Sequence, residues 1–257
     1  MKKGITIITM ICYLCFFNIS LAANTHSIDL ELSSSQYLSI TDGDQTGLDL
    51  TGDLAFEAWV KLETNSTWMT VLSKSIWGTD IAYYFRITAA NKLAFEVSDD
   101  GTWDAGHRGQ WYTTNAVITS TGTWYHITIT YDASGPTVVF YVDGVAQTTA
   151  ISNTVTSIYS GAGPFAIGTN AHDLGYYFDG LVDEVRVWND VRTPTEISDN
   201  YEKELNGNEA GLVAYYKLND SLLDETSNDN DLTNNNSATF STDVPFVGAV
   251  RRIIMVE

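Results

Sequence analysis

Between Leu54 and Leu62 the chain alternates, with Leu54, Phe56, Ala58, Val60 and Leu62 on one side and Glu57 and Lys61 on the other. This is the two-residue period of a strand with one buried face. The pattern recurs at short intervals, and residues 83–88, 92–97, 124–131, 137–142, 164–168, 180–188 and 212–218 all read as strands. Asp143-Gly144 offers the positive backbone angles of a tight hairpin turn, and residues 132–136 form the turn before it. Short strands separated by Gly, Asn and Asp predict an antiparallel β-sandwich or jelly roll rather than βαβ units.

One helix stands out. In DGLVDEVRVWNDVRTPTEISDNYEKEL (residues 179–205), a strand pattern places Leu181, Asp183, Val185 and Val187 on one face and Val182, Glu184, Arg186 and Trp188 on the other. Thr193, Pro194 and Glu196 then form a capping box with proline at the first helical position. Ile197, Tyr201 and Leu205 follow at four-residue spacing, so the helix has one apolar stripe.

Residues 1–22 read as a signal peptide: Lys2 and Lys3, an apolar stretch, then Ser20-Leu21-Ala22 as the cleavage site. Cys12 follows Ile11 and Cys15 follows Leu14, which is not the setting of a lipoprotein cysteine, and both cysteines would leave with the segment. The expected protein is therefore secreted, without a membrane span after cleavage and without disulfides. About 235 residues remain, enough for one large all-β domain. Loss of Lys2 and Lys3 takes the formal charge from -19 to -21. Such an acidic chain is a poor partner for nucleic acid and attracts cations, calcium foremost outside the cell, although adaptation to a salty medium explains the charge equally well. From Asn206 onward the composition shifts to Asn and Asp, read as a strand and a polar loop, while residues 248–257 carry no turn signals and no assignable role.

Several segments, in order, resemble the concanavalin A-like jelly rolls of the laminin-G-like and pentraxin group. They are GDLAFEAWVKL (52–62), TWYHITITYDASGPTVVFYVDGVAQ (123–147) and FDGLVDEVRVWNDVRTPTEI (178–197), and the resemblance runs from about Ile28 to Leu205. It implies a laminin-G-like domain over residues 23–205. The stretch from 206 to 247 resembles the extension that packs on the same sandwich in secreted bacterial versions.

The resemblance also implies calcium, held on one rim of the jelly roll by oxygens from two loops. LSKSIWGTDIAYYFRI places Asp80 where the family carries a ligand, and FAIGTNAHDLGYYFDG places Asn170 and Asp173, with Asp179 near its end. This second loop has fewer acids than the pentraxin one, which fits a single site better than two. Calcium takes six to eight oxygens, so carbonyls and water would complete the shell. The same residues also serve as ordinary turn-capping groups. Asp224, Asn228 and Asn230 form a candidate second metal site. Residues 42–53 imitate an EF-hand loop, with Asp42, Asp44 and Asp53 at positions one, three and twelve and Gly47 at six, but without flanking helices. His26, His107, His126 and His172 show no zinc-ligand spacing.

A sugar would be met by aromatic faces with hydrogen-bonding groups beside them. Trp103, Trp111 and Tyr112 fall in the polar stretch SDDGTWDAGHRGQWYTTN, read as a loop, and Trp77, Tyr176 and Tyr177 border the calcium loops. Trp59, Trp124 and Trp188 lie within strands and are assigned to packing. The Glu-x-Asp-x-(x)-Glu carboxylate set of the related glucanases is missing, as are nucleophile-elbow, zinc-protease and phosphate-loop motifs. The expected function is non-catalytic recognition of a glycan or a cell-surface ligand, with calcium assistance. The alternatives are an adhesion module contacting proteins and a divergent glycosidase.

Overall fold

The computed structural model describes residues 24–76, 78–170 and 175–246. The expected signal segment and the 248–257 tail lie outside the described residues. In chain order the strands are β1 (Ser27–Leu30), β2 (Tyr37–Ile40), β3 (Leu54–Leu62), β4 (Met69–Ile76), β5 (Asp80–Ile87), β6 (Leu93–Ser98), β7 (Arg108–Thr113) and β8 (Trp124–Asp132). They continue with β9 (Thr137–Val142), β10 (Val145–Gln147), β11 (Thr149–Asn153), β12 (Phe165–Ile167), β13 (Gly180–Trp188), β14 (Leu212–Tyr216), β15 (Thr233–Asn235) and β16 (Thr239–Ser241). The helix α1 (Pro194–Asn200) lies between β13 and β14.

Two antiparallel sheets form a sandwich. One runs β10-β9-β8-β3-β13-β1-β16, with β14 also beside β13, and the other runs β11-β7-β6-β5-β4-β12-β2-β15. The all-β jelly roll with one short helix is therefore the observed architecture. Residues 206–246 supply strands to both sheets, since β14 and β16 extend the first and β15 extends the second. The inward faces of β3, β5, β6, β8 and β13 fill the core with Phe56, Val60, Tyr83, Phe85, Phe95, Ile127, Ile129 and Val185, all fully buried. Strand β4 was invisible to the alternation because Thr70, Ser73, Lys74 and Ser75 are polar yet buried.

Strand β13 departs from its expected alternation. Opposite β3, Asp183 faces Trp59 but Arg186 faces Glu57, so three steps on one strand match two on the other. The extra residue makes a β-bulge, and Glu184 takes a left-handed φ of 50° there. The two faces swap at that point. Val182, Val185 and Val187 all point into the core, while Glu184, Arg186 and Trp188 turn to the outside of the sheet, beneath the helix.

Arg186, fully buried on that outer face, explains how the helix is held. Its Nη2 donates to Glu184 Oε2 at 2.9 Å and to the Lys203 carbonyl, and its Nη1 donates to the Asn200 carbonyl at 3.1 Å. The guanidinium thus caps carbonyls at the end of α1, where backbone acceptors lack helical partners. The capping box at Thr193 and Glu196 closes the other end. The helix stops at Asn200, short of the pattern through Leu205. Tyr201 instead stacks on Trp59 with ring centroids 5.9 Å apart, and Leu205 packs with Trp188 and Tyr215.

The carboxylates around Arg186 titrate in opposite directions. Burial pushes Glu57 up, but His126, Arg186 and Trp188 outweigh it and hold the group below the usual range. Glu184, raised by burial that Arg186 and Tyr215 only partly offset, sits at about 7. A carboxylate raised in the native state binds its proton there before it does in the unfolded chain. Its contribution to stability therefore falls as pH rises from the ordinary range through about 7. Glu184→Gln removes that slope, so the stability of the variant relative to the parent is expected to rise from pH 5 to pH 8, read by urea unfolding at each pH. A difference independent of pH would contradict the assignment.

Candidate functional site

The outer face of the second sheet carries the cluster with recognition chemistry. Along β5, Tyr83, Phe85 and Ile87 point into the core, so Tyr84 and Arg86 point out. On β6, Phe95 and Val97 point in and Glu96 points out. On β7, Trp111 points in, and Gln110 and Tyr112 point out. Antiparallel register then sets Glu96 beside both Tyr84 and Gln110.

These outward residues form the floor of an open cup of about 220 Å³, lined by Trp68, Arg86, Glu96, Trp103, Gln110, Tyr112 and Tyr176. Arg86 Nη1 donates to Glu96 Oε2 at 2.9 Å, and its Nη2 donates to Asn170 Oδ1 at 3.1 Å. Gln110 and Tyr112 both donate to Glu96 Oε1, at 2.9 and 3.0 Å. Burial, with the Glu96 carboxylate beside it, pushes the Tyr112 phenol well up, so it remains a donor. The Arg86 guanidinium lies 3.8 Å from the Tyr84 ring centroid and 5.3 Å from that of Tyr176. Trp68 sits 6.2 Å from Tyr176, and Trp103 packs edge-on to Tyr84 at 5.7 Å. The floor is rigid because each of its polar groups is braced by another, and the rim is aromatic.

Three of the expected aromatic contacts, Trp103, Tyr112 and Tyr176, meet in this cup. Trp111 does not, because residues 108–113 form a strand rather than a loop. It is fully buried, with Phe95 stacked at 6.1 Å and Tyr131 edge-on at 5.7 Å. Tyr177 is buried beside Tyr37 at 6.3 Å, so it also packs. Trp77 lies outside the described residues. Arg86, Glu96, Gln110 and Trp68 were not singled out from the sequence. The signal was present, since large polar side chains at the outward positions of two strands already identified mark a sheet face that is not plain surface.

The calcium set does not converge among the described residues. Asn170 is buried and its Oδ1 accepts from Thr70 Oγ1 at 2.8 Å as well as from Arg86, so a cationic group already occupies it. Asp80 lies six residues from Arg86 on β5, roughly 20 Å at strand rise, and its Oδ2 accepts the Ala162 amide at 2.8 Å. Asp173 lies outside the described residues. Asp179 is elsewhere again, accepting the Leu32 amide at 3.1 Å. Beside it, burial and repulsion among Asp29, Glu31, Glu63 and Asp179 raise Asp29 and Glu63 above the ordinary carboxylate range.

The second metal set is also committed elsewhere. Asp224 accepts four hydrogen bonds, from Tyr215 N, Thr226 N, Thr226 Oγ1 and Asn230 N, between 2.8 and 3.0 Å. Asn230 exchanges hydrogen bonds with both the amide and the carbonyl of Thr46, and Asn228 donates to the Val213 carbonyl. A cation at Asp224 would face donor hydrogens, so this group is the hub of an ordered polar loop. The depression beside it, about 530 Å³, is lined by residues such as Asn206, Glu209 and Asn228 and has no aromatic face. Asp99, Asp100 and His107 also cluster, but they are exposed or nearly so and bind one another.

The loop that imitates an EF-hand holds a side chain instead of an ion. Lys74 is buried, and its Nζ lies 2.5 Å from Asp42 Oδ1, 3.1 Å from Asp49 Oδ1, 2.7 Å from the Gly163 carbonyl and 3.1 Å from that of Gly161.

Residues 32–198 match the Laminin_G_3 family, of the concanavalin A-like lectin/glucanases superfamily, and the chain belongs to it. Solved structures share the fold. A proposed carbohydrate-binding protein from Bacteroides ovatus ATCC 8483 is 22% identical with a TM-score of 0.63, over 86% of this chain and 61% of that one. The chain thus spans under two thirds of that protein. A heptameric SAP-like pentraxin from Limulus polyphemus is 12% identical with a TM-score of 0.60, over 86% of this chain and 97% of its own. The CBM40 of the Ruminococcus gnavus IT-sialidase, solved with α2,3-sialyllactose, is 12% identical with a TM-score of 0.53, over 69% and 98%. No curated protein matches the chain. No helix among the described residues is long and apolar enough to cross a membrane.

Two stability measurements check these placements. Trp111→Ala is expected to cost about 3–5 kcal/mol in urea unfolding, whereas Tyr176→Ala, half exposed, changes stability by less than about 1 kcal/mol. Equal costs would mean that Trp111 is not in the core. Lys74→Met strands two carboxylates and two carbonyls and is expected to cost about 2–3 kcal/mol, below the figure for a fully buried pair because Asp42 and Asp49 are partly exposed. A neutral effect would show that the ammonium does not organise this loop.

Proposed function

We propose that this protein is a carbohydrate-binding module and that the cup between Trp103 and Tyr176 is its sugar site. The observation that carries the reading is the combination of aromatic rim and braced polar floor. Sugar rings present both C–H faces and hydroxyls, and the cup offers aromatic surface beside Arg86, Glu96, Gln110 and Tyr112. Because Glu96 is held by three donors before any ligand arrives, little side-chain ordering remains to oppose binding. Proteins of the same fold whose descriptions mention carbohydrate binding or sialyllactose are consistent with this reading.

The module acts without catalysis. Glycoside hydrolysis needs a pair of carboxyl groups flanking the bond, whereas Glu96 is the one carboxylate in the cup lining among the described residues and is engaged with Arg86. Calcium is not part of the proposal, because Arg86 holds the Asn170 oxygen and Asp80 lies far along the strand. Secretion accords with the signal-peptide pattern of residues 1–22. A glycan array followed by titration tests the reading. Trp103→Ala and Tyr176→Ala are each expected to weaken the best glycan at least about tenfold, or about 1.4 kcal/mol, with the melting midpoint of each variant confirming its fold. Binding unchanged in both would remove the cup as the site, and a blank array with protein partners captured would favour the adhesion alternative.

A further inference from the structure

We infer that the cup selects neutral sugars over acidic ones and that Glu96 sets this choice, a deepening that rests on the sugar-binding reading above. An acidic sugar presents a carboxylate, which arginine recognises through two parallel N–H groups. Arg86 is the one cation lining the cup among the described residues, and both of its terminal nitrogens are already engaged: Nη1 on Glu96 Oε2 and Nη2 on Asn170 Oδ1. Nε has no partner but is buried, so a ligand carboxylate would have to compete with Glu96 and Asn170 for the Nη groups. The guanidinium faces are flanked as well, by Tyr84 at 3.8 Å and Tyr176 at 5.3 Å.

Charge points the same way. Arg86 and Glu96 cancel, so the lining is formally neutral among the described residues, and the Glu96 carboxylate, 3% exposed, would repel an incoming anion at short range. Arg108, 5.6 Å from the Trp103 ring, is the other cation nearby, and Asp99 and Asp100 follow Ser98, its partner across β6 and β7. The chain as a whole carries -19, which lowers the local concentration of anions. A neutral sugar meets none of these penalties. Its hydroxyls can donate to Glu96 and to Oε1 of Gln110, whose amide nitrogen is already engaged with Glu96 and Tyr112. The cup's 220 Å³ is about the liquid volume of seven waters, room for about one sugar ring.

The test uses the full chain and a panel of methyl glycosides: glucose, galactose, mannose and N-acetylglucosamine against glucuronic acid and N-acetylneuraminic acid. The wild type is expected to bind at least one neutral glycoside tenfold or more tightly than either acid. Glu96→Gln loosens the hold on Arg86 Nη1 and removes the repelling charge, and it is expected to narrow that ratio at least tenfold by gaining affinity for the acids. Wild-type preference for an acidic glycoside, or an unchanged ratio in a folded Glu96→Gln protein, overturns the inference while leaving sugar binding intact. Should Glu96→Gln not fold, the wild-type ratio decides alone. No binding to either class by wild type, here or on the array, overturns the sugar reading itself and this inference with it.

Discussion

The alternation of β5 from Tyr83 onward, of β6 and of β7 is the constraint on which core and cup jointly depend. Each strand that sends Phe85, Phe95 or Trp111 inward must send Arg86, Glu96, Gln110 and Tyr112 outward, because neighbouring residues of a strand face opposite ways. Burial of the aromatic side chains fixes the register, since a one-residue slip would expose them all and bury the ion pair. Recognition geometry is thus set by hydrophobic packing on the opposite side of the same backbone. The hydrogen bonds among Arg86, Glu96, Gln110 and Tyr112 refine positions that the core has already imposed.

The two outer faces are used differently. On the first sheet, the bulge at Glu184 turns Glu184, Arg186 and Trp188 outward, and α1 with the turn after it covers them, so that face is filled by the chain itself. On the second sheet the outer face holds Arg86, also ion-paired and stacked, but with an open cup above it. Both faces contain a buried arginine and a glutamate on neighbouring strands. Only the second leaves that chemistry within reach of a ligand.

The fold was legible because it depends on periodicity, which single residues report. Leu54–Leu62, Thr137–Val142 and Gly180–Trp188 appear with the bounds read from alternation, and the capping box at Thr193 starts the helix. Two features escaped for the same reason. The bulge inserts one residue into a correct period, so the side chains before and after Glu184 exchange faces with no change in composition. Strand β7 is short and rich in polar residues, and reading it as a loop left Trp111 and Tyr112 as equals when parity makes one core and the other site. Trp103 and Tyr176 were found because exposed aromatics are informative alone. Arg86 and Glu96 become informative only once their strands are known to be neighbours.

Several of the oxygen-rich arrangements in this chain already hold a covalently attached cation. Thirteen basic residues face 32 acidic ones in this chain, and three of the basic side chains are buried among oxygens. Lys74 lies between Asp42, Asp49 and two carbonyls, Arg86 between Glu96 and Asn170, and Arg186 among Glu57, Glu184 and two carbonyls. Asp224 reaches the same end with backbone and hydroxyl donors. Each is an oxygen-rich arrangement of the kind that, in a list of residues, resembles a calcium site. A covalently attached cation differs from an ion in two ways: it cannot be removed by chelation, and its N–H groups impose direction on the oxygens around it. At Arg86 that direction matters most, because the donors that satisfy Asn170 and Glu96 fix the guanidinium in the floor of the cup.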